Sequence, residues 1–182
     1  NVGGALALKR MGFSRVVLAR ELTLNEIQKI AKKKRNREEQ KLDMKKQIEF
    51  YKEAKKQVIK PIIGCEVYVA PRSRFDKEPN IDNKYNHLIL LAKNNEGYKN
   101  LSKLVSLGFV DGYYYKPRID YELLEKYHEN LIALSACLAG EVQRYIAKGM
   151  YDEAKKQAIK YRECFGEGNY FLELQDHGIP EQ

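Results

Sequence analysis

Short, continuous runs of apolar residues recur along the chain, and they constrain its fold more than any other feature. Each run is bounded by polar or turn-forming residues and is too short for a typical buried helix. Runs of this kind are typical of β-strands that are buried on both faces. The predicted strands are Val16–Ala19, Ile62–Val69, Leu88–Leu91, Leu131–Leu134 and Tyr170–Leu174.

Helical periods separate several of these runs. Leu101, Leu104, Val105 and Gly108 share one helical face behind the capping candidates Asn94 and Asn95, and Ala154, Ala158, Tyr161 and Phe165 share another before Gly166. The alternation of strand and helix predicts an α/β fold with parallel strands and outer helices, built as a sheet or barrel. The legible strands are too few to close an ordinary barrel, so we expect an incomplete or distorted one. In such folds chemistry gathers at the carboxyl ends of the strands.

The net charge of +8 is concentrated in one segment of the 182 residues. The stretch from Lys29 to Lys60 contains thirteen Lys or Arg residues and five Asp or Glu residues, so it carries the whole excess of positive charge. We interpret it as a solvated helix face or linker, with weak binding to a phosphate backbone as the alternative. Residues 35–47 read as a charged linker or helix start, where two parts of the chain could join.

Other compositional features indicate the compartment. The sequence has no unbroken apolar stretch long enough to cross a bilayer, and it begins without the pattern of a secretory signal. The three cysteines are widely spaced, which fits reduced thiols better than a disulfide framework. We therefore expect a cytoplasmic protein without a membrane partner.

Three residues of metal-binding type lie in or beside separate predicted strands: Glu66, His87 and Cys137. Such donors can converge at one edge of a βα sheet and bind a transition metal ion. Each also has a structural interpretation. Glu66 could be a buried hydrogen-bonding group, His87 a core imidazole and Cys137 a small apolar residue in a turn.

Four stretches together resemble one known family. They are Lys60-Pro61-Ile62-Ile63-Gly64-Cys65-Glu66-Val67-Tyr68-Val69-Ala70-Pro71, Asn86-His87-Leu88-Ile89-Leu90-Leu91-Ala92, Tyr114-Tyr115-Lys116-Pro117-Arg118-Ile119-Asp120 and Leu134-Ser135-Ala136-Cys137-Leu138-Ala139-Gly140-Glu141. They are similar to the PHP (polymerase and histidinol phosphatase) domain of bacterial replicative DNA polymerases. The resemblance implies a role in DNA replication, with DNA and other replication subunits as partners. It also implies that Glu66, His87 and Cys137 belong to a metal cluster.

The resemblance also shows what this sequence lacks. The family has an early His-x-His pair, a Thr-Asp-His after the second strand and an Asp-x-His near the end of the domain, and none of these occurs in the chain. We therefore expect an incomplete site that holds zinc or manganese at best, in a module that is structural rather than catalytic and lacks the polymerase palm. The alternative is a surviving metal-dependent phosphoesterase or 3'–5' proofreading exonuclease.

The first part of the chain resembles a different family. Residues 3–33, and above all Gly12-Phe13-Ser14-Arg15-Val16-Val17-Leu18-Ala19-Arg20-Glu21-Leu22, are similar to collagenase-like peptidases. This divides the chain into a helix–strand–helix segment at 1–34, the charged linker at 35–47 and a partial PHP domain at 48–182. It leaves a third functional alternative, a peptidase-like module.

One loop mixes tyrosines with cations. Its sequence is Tyr113-Tyr114-Tyr115-Lys116-Pro117-Arg118. This composition suits stacking on bases and pairing with phosphates in single-stranded nucleic acid, with Lys116 and Arg118 as phosphate-binding candidates. The alternative is that the tyrosines pack over the barrel and the cations are solvated.

Overall fold

The computed structural model describes residues 15–19, 48–175 and 178. The chain divides into two compact units, residues 1–63 and 64–182. In the first unit, strand β1 (Arg15–Ala19) confirms the first predicted strand, and a helix, α1, is described over residues 48–56. Ala54 and Ile59 are buried there against Phe50. The rest of the predicted helix–strand–helix segment at 1–34 and the linker at 35–47 lie outside the described residues.

The second unit contains most of the described elements. Strand β2 (Lys60–Val69) enters it at Gly64 and is followed by β3 (Asn86–Ala92) and helix α2 (Asn95–Val110). The elements that follow are β4 (Tyr113–Tyr114), β5 (Lys116–Ile119), α3 (Tyr121–Tyr127), β6 (Leu131–Leu134), α4 (Glu141–Ala147), α5 (Tyr151–Phe165) and β7 (Tyr170–Phe171).

The sheet is mixed, so the expectation of parallel strands is confirmed only in part. Its order includes β4-β5-β2-β3-β6-β7. Strands β2 and β5 are parallel, as are β6 and β7, but β3 is antiparallel to both β2 and β6. Strands β2, β5, β6 and β7 therefore share one direction, and β3 runs against them. The cause is the connection at 70–85, which contains no helix or strand. A parallel return would require a crossover, which is usually helical.

Helices α2, α3 and α5 pack against one face of the sheet in the second unit. Alternate strand residues point into the main core, where they meet α2, α3 and α5. These core residues are Val67, Val69, Leu88, Leu90, Leu101, Leu104, Ile119, Leu123, Leu124, Leu131, Ala133, Tyr161 and Phe165. The opposite face is only half-buried, as Tyr68, Ile89 and Leu134 show. The strands are therefore not apolar and buried on both faces, and the half-buried face is available for polar side chains.

Candidate metal centre

The three candidate ligands meet on the half-buried face of the sheet. In the β2–β3 ladder, Tyr68 is paired with His87 and Glu66 with Ile89. Because strand residues two apart share a face, Glu66 and His87 lie on the same side as diagonal neighbours. Ile89 is in turn paired with Leu134 at the end of β6. The segment after β6 therefore begins beside the same two side chains.

The reversal of β3 is what brings His87 to this edge. Glu66 lies near the carboxyl end of β2, and Cys137 follows the carboxyl end of β6. His87 instead lies at the amino end of its strand. An antiparallel strand presents its amino end where its neighbours present their carboxyl ends, so the three donors lie at one edge although their strands differ in direction.

A tight loop after β6 fixes Cys137. The backbone N–H of Gly140 donates to the carbonyl of Cys137 at 2.7 Å, and the N–H of His87 donates to the carbonyl of Ala139 at 3.0 Å. Gly140 is required here because a Cβ at this position would lie 2.1 Å from the carbonyl oxygen of Ser135. The loop is thereby held against the first residues of β3.

The donor atoms are close enough to share an ion. Glu66 Oε1 lies 3.0 Å from His87 Nδ1, and Cys137 Sγ lies 3.5 Å from the same nitrogen. The three ligand atoms lie within 4.8 Å of one another. The side chains of Glu66 and His87 are 15% and 22% exposed, so water can reach the group. One carboxylate, one imidazole and one thiol are donors that fit zinc or a similar transition metal ion.

The same geometry differs from that of a thiol hydrolase. In a Cys-His-acid relay the thiol and the acid bind opposite nitrogens of the imidazole, so that the ring transfers a proton between them. Here the carboxylate and the thiol both approach Nδ1 of His87. Convergence on one nitrogen suits a shared ion or proton, and it does not suit nucleophilic catalysis by Cys137.

The two predicted phosphate-binding residues have different environments. Arg118 is fully buried, and its guanidinium donates to the carbonyl oxygens of Gly112, Arg74, Asp76 and Asp82 at 2.7 to 3.1 Å. This corrects the expectation that Arg118 receives phosphate, because the loop carbonyls occupy its donors. Lys116 is half-buried, and its Nζ lies 5.0 Å from the centre of the Tyr68 ring.

Two aromatic rings that sequence reasoning missed surround the imidazole. Tyr68 meets His87 edge to face, with ring centres 5.2 Å apart, and Tyr85 lies parallel to it at 6.1 Å. The alternation of Glu66, Val67 and Tyr68 could have placed Tyr68 on the ligand face. No comparable signal marks Tyr85, which lies in the connection before β3.

A partly buried carboxyl group lies just beyond the Cys137 loop. Glu141 begins α4, and its Oε2 accepts a hydrogen bond from the hydroxyl of Tyr161 at 3.0 Å. Burial raises the pKa of Glu141, and the Tyr161 hydrogen bond and the charges of Lys160 and Arg144 oppose that rise. Burial also raises the pKa of Tyr161 well above its usual value.

A mixed α/β sheet that brings a carboxylate, an imidazole and a thiol together at one edge is the arrangement of a metal-binding domain. Comparison with known families shows to which family this domain belongs. The family model of the PHP domain matches residues 10–177. The chain therefore belongs to the PHP domain family. This match begins inside the segment at 3–33, and the comparisons give no support to its resemblance to collagenase-like peptidases.

The chain is similar in sequence to DNA polymerase III alpha subunits from several bacteria. It is 52% identical over 136 residues to the DNA polymerase III subunit alpha of Treponema pallidum, a match covering 74% of this chain and 12% of the relative. The corresponding protein of Deinococcus radiodurans is 49% identical over 139 residues, covering 74% of the chain and 10% of the relative. That of Aquifex aeolicus is 52% identical over 139 residues, covering 73% and 12%. The chain thus spans about a tenth of the length of these relatives.

No helix in the part of the chain that the structure describes combines the length and the apolar character needed to span a membrane.

Proposed function

We propose that this chain is the PHP module of a bacterial replicative DNA polymerase III alpha subunit and serves DNA replication in the cytoplasm as a structural platform. The observation that carries the proposal is identity of about half to alpha subunits over 136 to 139 residues. DNA and other replication subunits would be its partners. The described strands would form part of a distorted PHP-type barrel whose interior is the half-buried face.

We infer that Glu66, His87 and Cys137 hold one transition metal ion, zinc or manganese. Such an ion would supply Lewis-acid chemistry and lower the pKa of a bound water. The imidazole would bind through Nδ1, the atom that faces both other donors. Partial exposure of Glu66 and His87 leaves room for water as a further ligand. Three protein donors are typical of an open site rather than of a multinuclear cluster.

A second candidate function is metal-dependent hydrolysis of phosphoesters, including removal of nucleotides from a 3' end. The partial exposure of the ligands favours it. So does Lys116, whose Nζ lies over the Tyr68 ring that contacts His87. Catalysis of that kind usually needs metal ions that activate water and stabilise developing charge. Three described donors are fewer than a multinuclear cluster needs, so we propose that this chain by itself has weak activity or none.

A cobalt-binding experiment tests the metal centre. The purified chain is titrated with Co²⁺, and absorption from thiolate coordination is recorded together with the bound Zn and Mn content. We expect stoichiometric binding that is lost in Cys137→Ser and in Glu66→Gln. Cys164→Ser is the matched control, because burial raises the pKa of that thiol to about 11 and keeps it protonated. Binding that survives in both triad variants would refute the assignment.

The same preparations separate the two candidate functions. They are assayed on a single-stranded DNA end and on a simple phosphomonoester, with and without added metal. A structural module gives no turnover above the background of Glu66→Ala. Metal-dependent turnover that disappears in Glu66→Ala would instead establish the phosphoesterase and overturn the structural role.

A further inference from the structure

An exposed tyrosine lies at the tip of the β4–β5 hairpin in an unusual backbone conformation. Tyr113 is paired with Pro117 and Tyr114 with Lys116, so Tyr115 alone forms the turn. Its φ is +59°, in the left-handed region that disfavours residues with a Cβ. Its side chain is also 61% exposed. A large aromatic ring is thus held in water at a position where glycine or asparagine would fit with less strain.

The hairpin beneath Tyr115 is firmly fixed. The Tyr114 ring lies 5.1 Å from the guanidinium of Arg118, which is anchored by its bonds to loop carbonyls. Tyr114 also meets the Tyr115 ring edge to face at 4.7 Å. The exposed ring is therefore preorganised, and a ligand that stacks on it orders fewer side chains on binding.

Close contacts connect this hairpin to the metal centre. Lys116 follows Tyr115, and its Nζ lies 5.0 Å from the centre of the Tyr68 ring. The Tyr68 ring in turn lies 5.2 Å from the ring of His87. Tyr68, Lys116, Tyr114 and Tyr115 are thus linked by successive contacts and by strand pairing, and we call these four residues the tyrosine–lysine track. It leads from the hairpin tip to the three donors.

We propose that the tyrosine–lysine track binds single-stranded DNA and directs it toward the metal centre. Exposed aromatic rings stack on bases, and a neighbouring cation neutralises backbone phosphate. Bases in a duplex are already stacked, so the track should prefer single strands. The proposal deepens the proposed function, because it names the ligand class for the face that holds Glu66, His87 and Cys137.

Fluorescence anisotropy with a labelled oligothymidylate tests the track at several salt concentrations. Tyr115→Asn removes the ring with a residue that tolerates left-handed backbone, and we expect at least about fivefold weaker binding. Lys116→Gln should reduce the slope of log affinity against log salt by about 0.7, the value for one phosphate contact on a single strand. Unchanged melting temperatures exclude loss of fold as the cause.

The control variants lie on α2, which packs against the other face of the sheet. They are Tyr98→Asn and Lys103→Gln, both at exposed positions. The lysine-rich segment at 29–60 has the same sequence in every variant, so only the differences in affinity between variants are interpreted. The proposal fails if the track variants bind like these controls, if duplex binding weakens as much as single-strand binding, or if the wild-type chain prefers an acidic peptide to the oligonucleotide.

The metal proposal can fail separately. All titrations are repeated with a chelator and in Glu66→Gln, which removes one donor and leaves the track intact. We expect the losses in Tyr115→Asn and Lys116→Gln to persist under both conditions. If cobalt fails to bind but these losses persist, the track stands without the metal centre. If cobalt binds but the losses are absent, the track alone is refuted.

Discussion

At the scale of single residues, the buried arginine is the main departure from expectation. Arg118 lies in a sequence of tyrosines and cations that predicts an exposed binding loop, yet it is fully buried. The carbonyl groups that accept its hydrogen bonds come largely from the connection at 70–85, whose conformation no local pattern encodes. A long polar side chain can therefore organise a loop that lacks regular structure.

Replacing this arginine should destabilise the second unit strongly. Arg118→Met leaves several buried carbonyls without donors, and we expect unfolding free energy to fall by at least about 3 kcal/mol. Arg118→Lys should be intermediate, because an ammonium cannot reproduce the planar fork of a guanidinium. Urea unfolding measures both, with the exposed Arg162→Met as a control. A loss for Arg118→Met similar to that control would mean that other donors satisfy these carbonyls.

At the scale of elements, the sequence predicted where strands and helices lie better than how they run. The apolar run Leu131–Leu134 coincides with β6, and the faces proposed for α2 and α5 bury Leu104 and Tyr161. Strand direction was wrong for β3, because apolar periodicity carries no direction. Direction depends on the connection, and the irregular connection at 70–85 permits reversal. The short strands β4 and β5 were not predicted, because their sequence of tyrosines, lysine and proline shows no alternation of apolar and polar residues.

Asp120 joins the start of one helix to the loop after β2. Its carboxylate accepts from the backbone N–H of Leu123 at 3.1 Å, which caps α3, and from the N–H of Arg74 at 2.9 Å. It also accepts from the Arg74 guanidinium at 2.9 and 3.0 Å. One nearly buried side chain thus serves both a cap and an ion pair.

Two substitutions should separate these roles. Asp120→Asn keeps a capping oxygen but removes the charge, and it leaves the buried Arg74 with the exposed carboxylate of Glu122 as an ion-pair partner. We therefore expect a loss of about 3 kcal/mol at most. Asp120→Ala should lose about 1 kcal/mol more, because the cap is also removed. Asn94→Ala, at the cap of α2, is the matched control for a cap without an ion pair. Equal losses for the two Asp120 variants in urea unfolding would contradict a capping contribution.

At the scale of the whole molecule, the partly buried Glu141 links stability to pH. Its raised pKa means that the folded chain retains this proton at a pH where the unfolded chain, with a value of about 4.3, has lost it. At a pH below the pKa of the unfolded chain, protonated Glu141 makes its full favourable contribution to the unfolding free energy. As pH rises toward the folded pKa, that contribution is lost, because ionisation must then occur in a partly buried site next to Tyr161 and Tyr170.

Glu141→Gln should reveal this dependence. The amide can still accept from Tyr161 but does not ionise, so stability of the variant relative to wild type should rise between about pH 4 and neutral pH. Urea unfolding across that range measures the difference in unfolding free energy between the variant and the wild type. The contributions of the other carboxyl groups cancel in this difference. Glu96→Gln, at an exposed position of α2, should show little change. A difference for Glu141→Gln that is constant or falls with pH would refute the linkage.

The sequence predicted which residues form the candidate site, but it did not predict how they are arranged. Residue type and position beside separate strands, together with the family resemblance, selected Glu66, His87 and Cys137, and the structure brings them together. Their convergence on Nδ1 of His87 depends on the register of β2 with β3 and on the loop at Gly140. Neither the register nor that loop can be derived from the spacing of the three residues. The role of Arg118 and the position of Tyr85 depend on the same long connection.

The stretch at 77–80 is exposed, and carbonyls that Arg118 binds lie on both sides of it. A protease could therefore cut the chain here without separating the two sides of the cut. The Arg118 guanidinium holds Arg74 and Asp76 before that stretch and Asp82 after it. Both new ends would stay attached to the same side chain, and the β2–β3 ladder would still join the fragments. Glu66 would then lie on one polypeptide and His87 with Cys137 on the other, so a bound ion would act as a clasp between two separate chains.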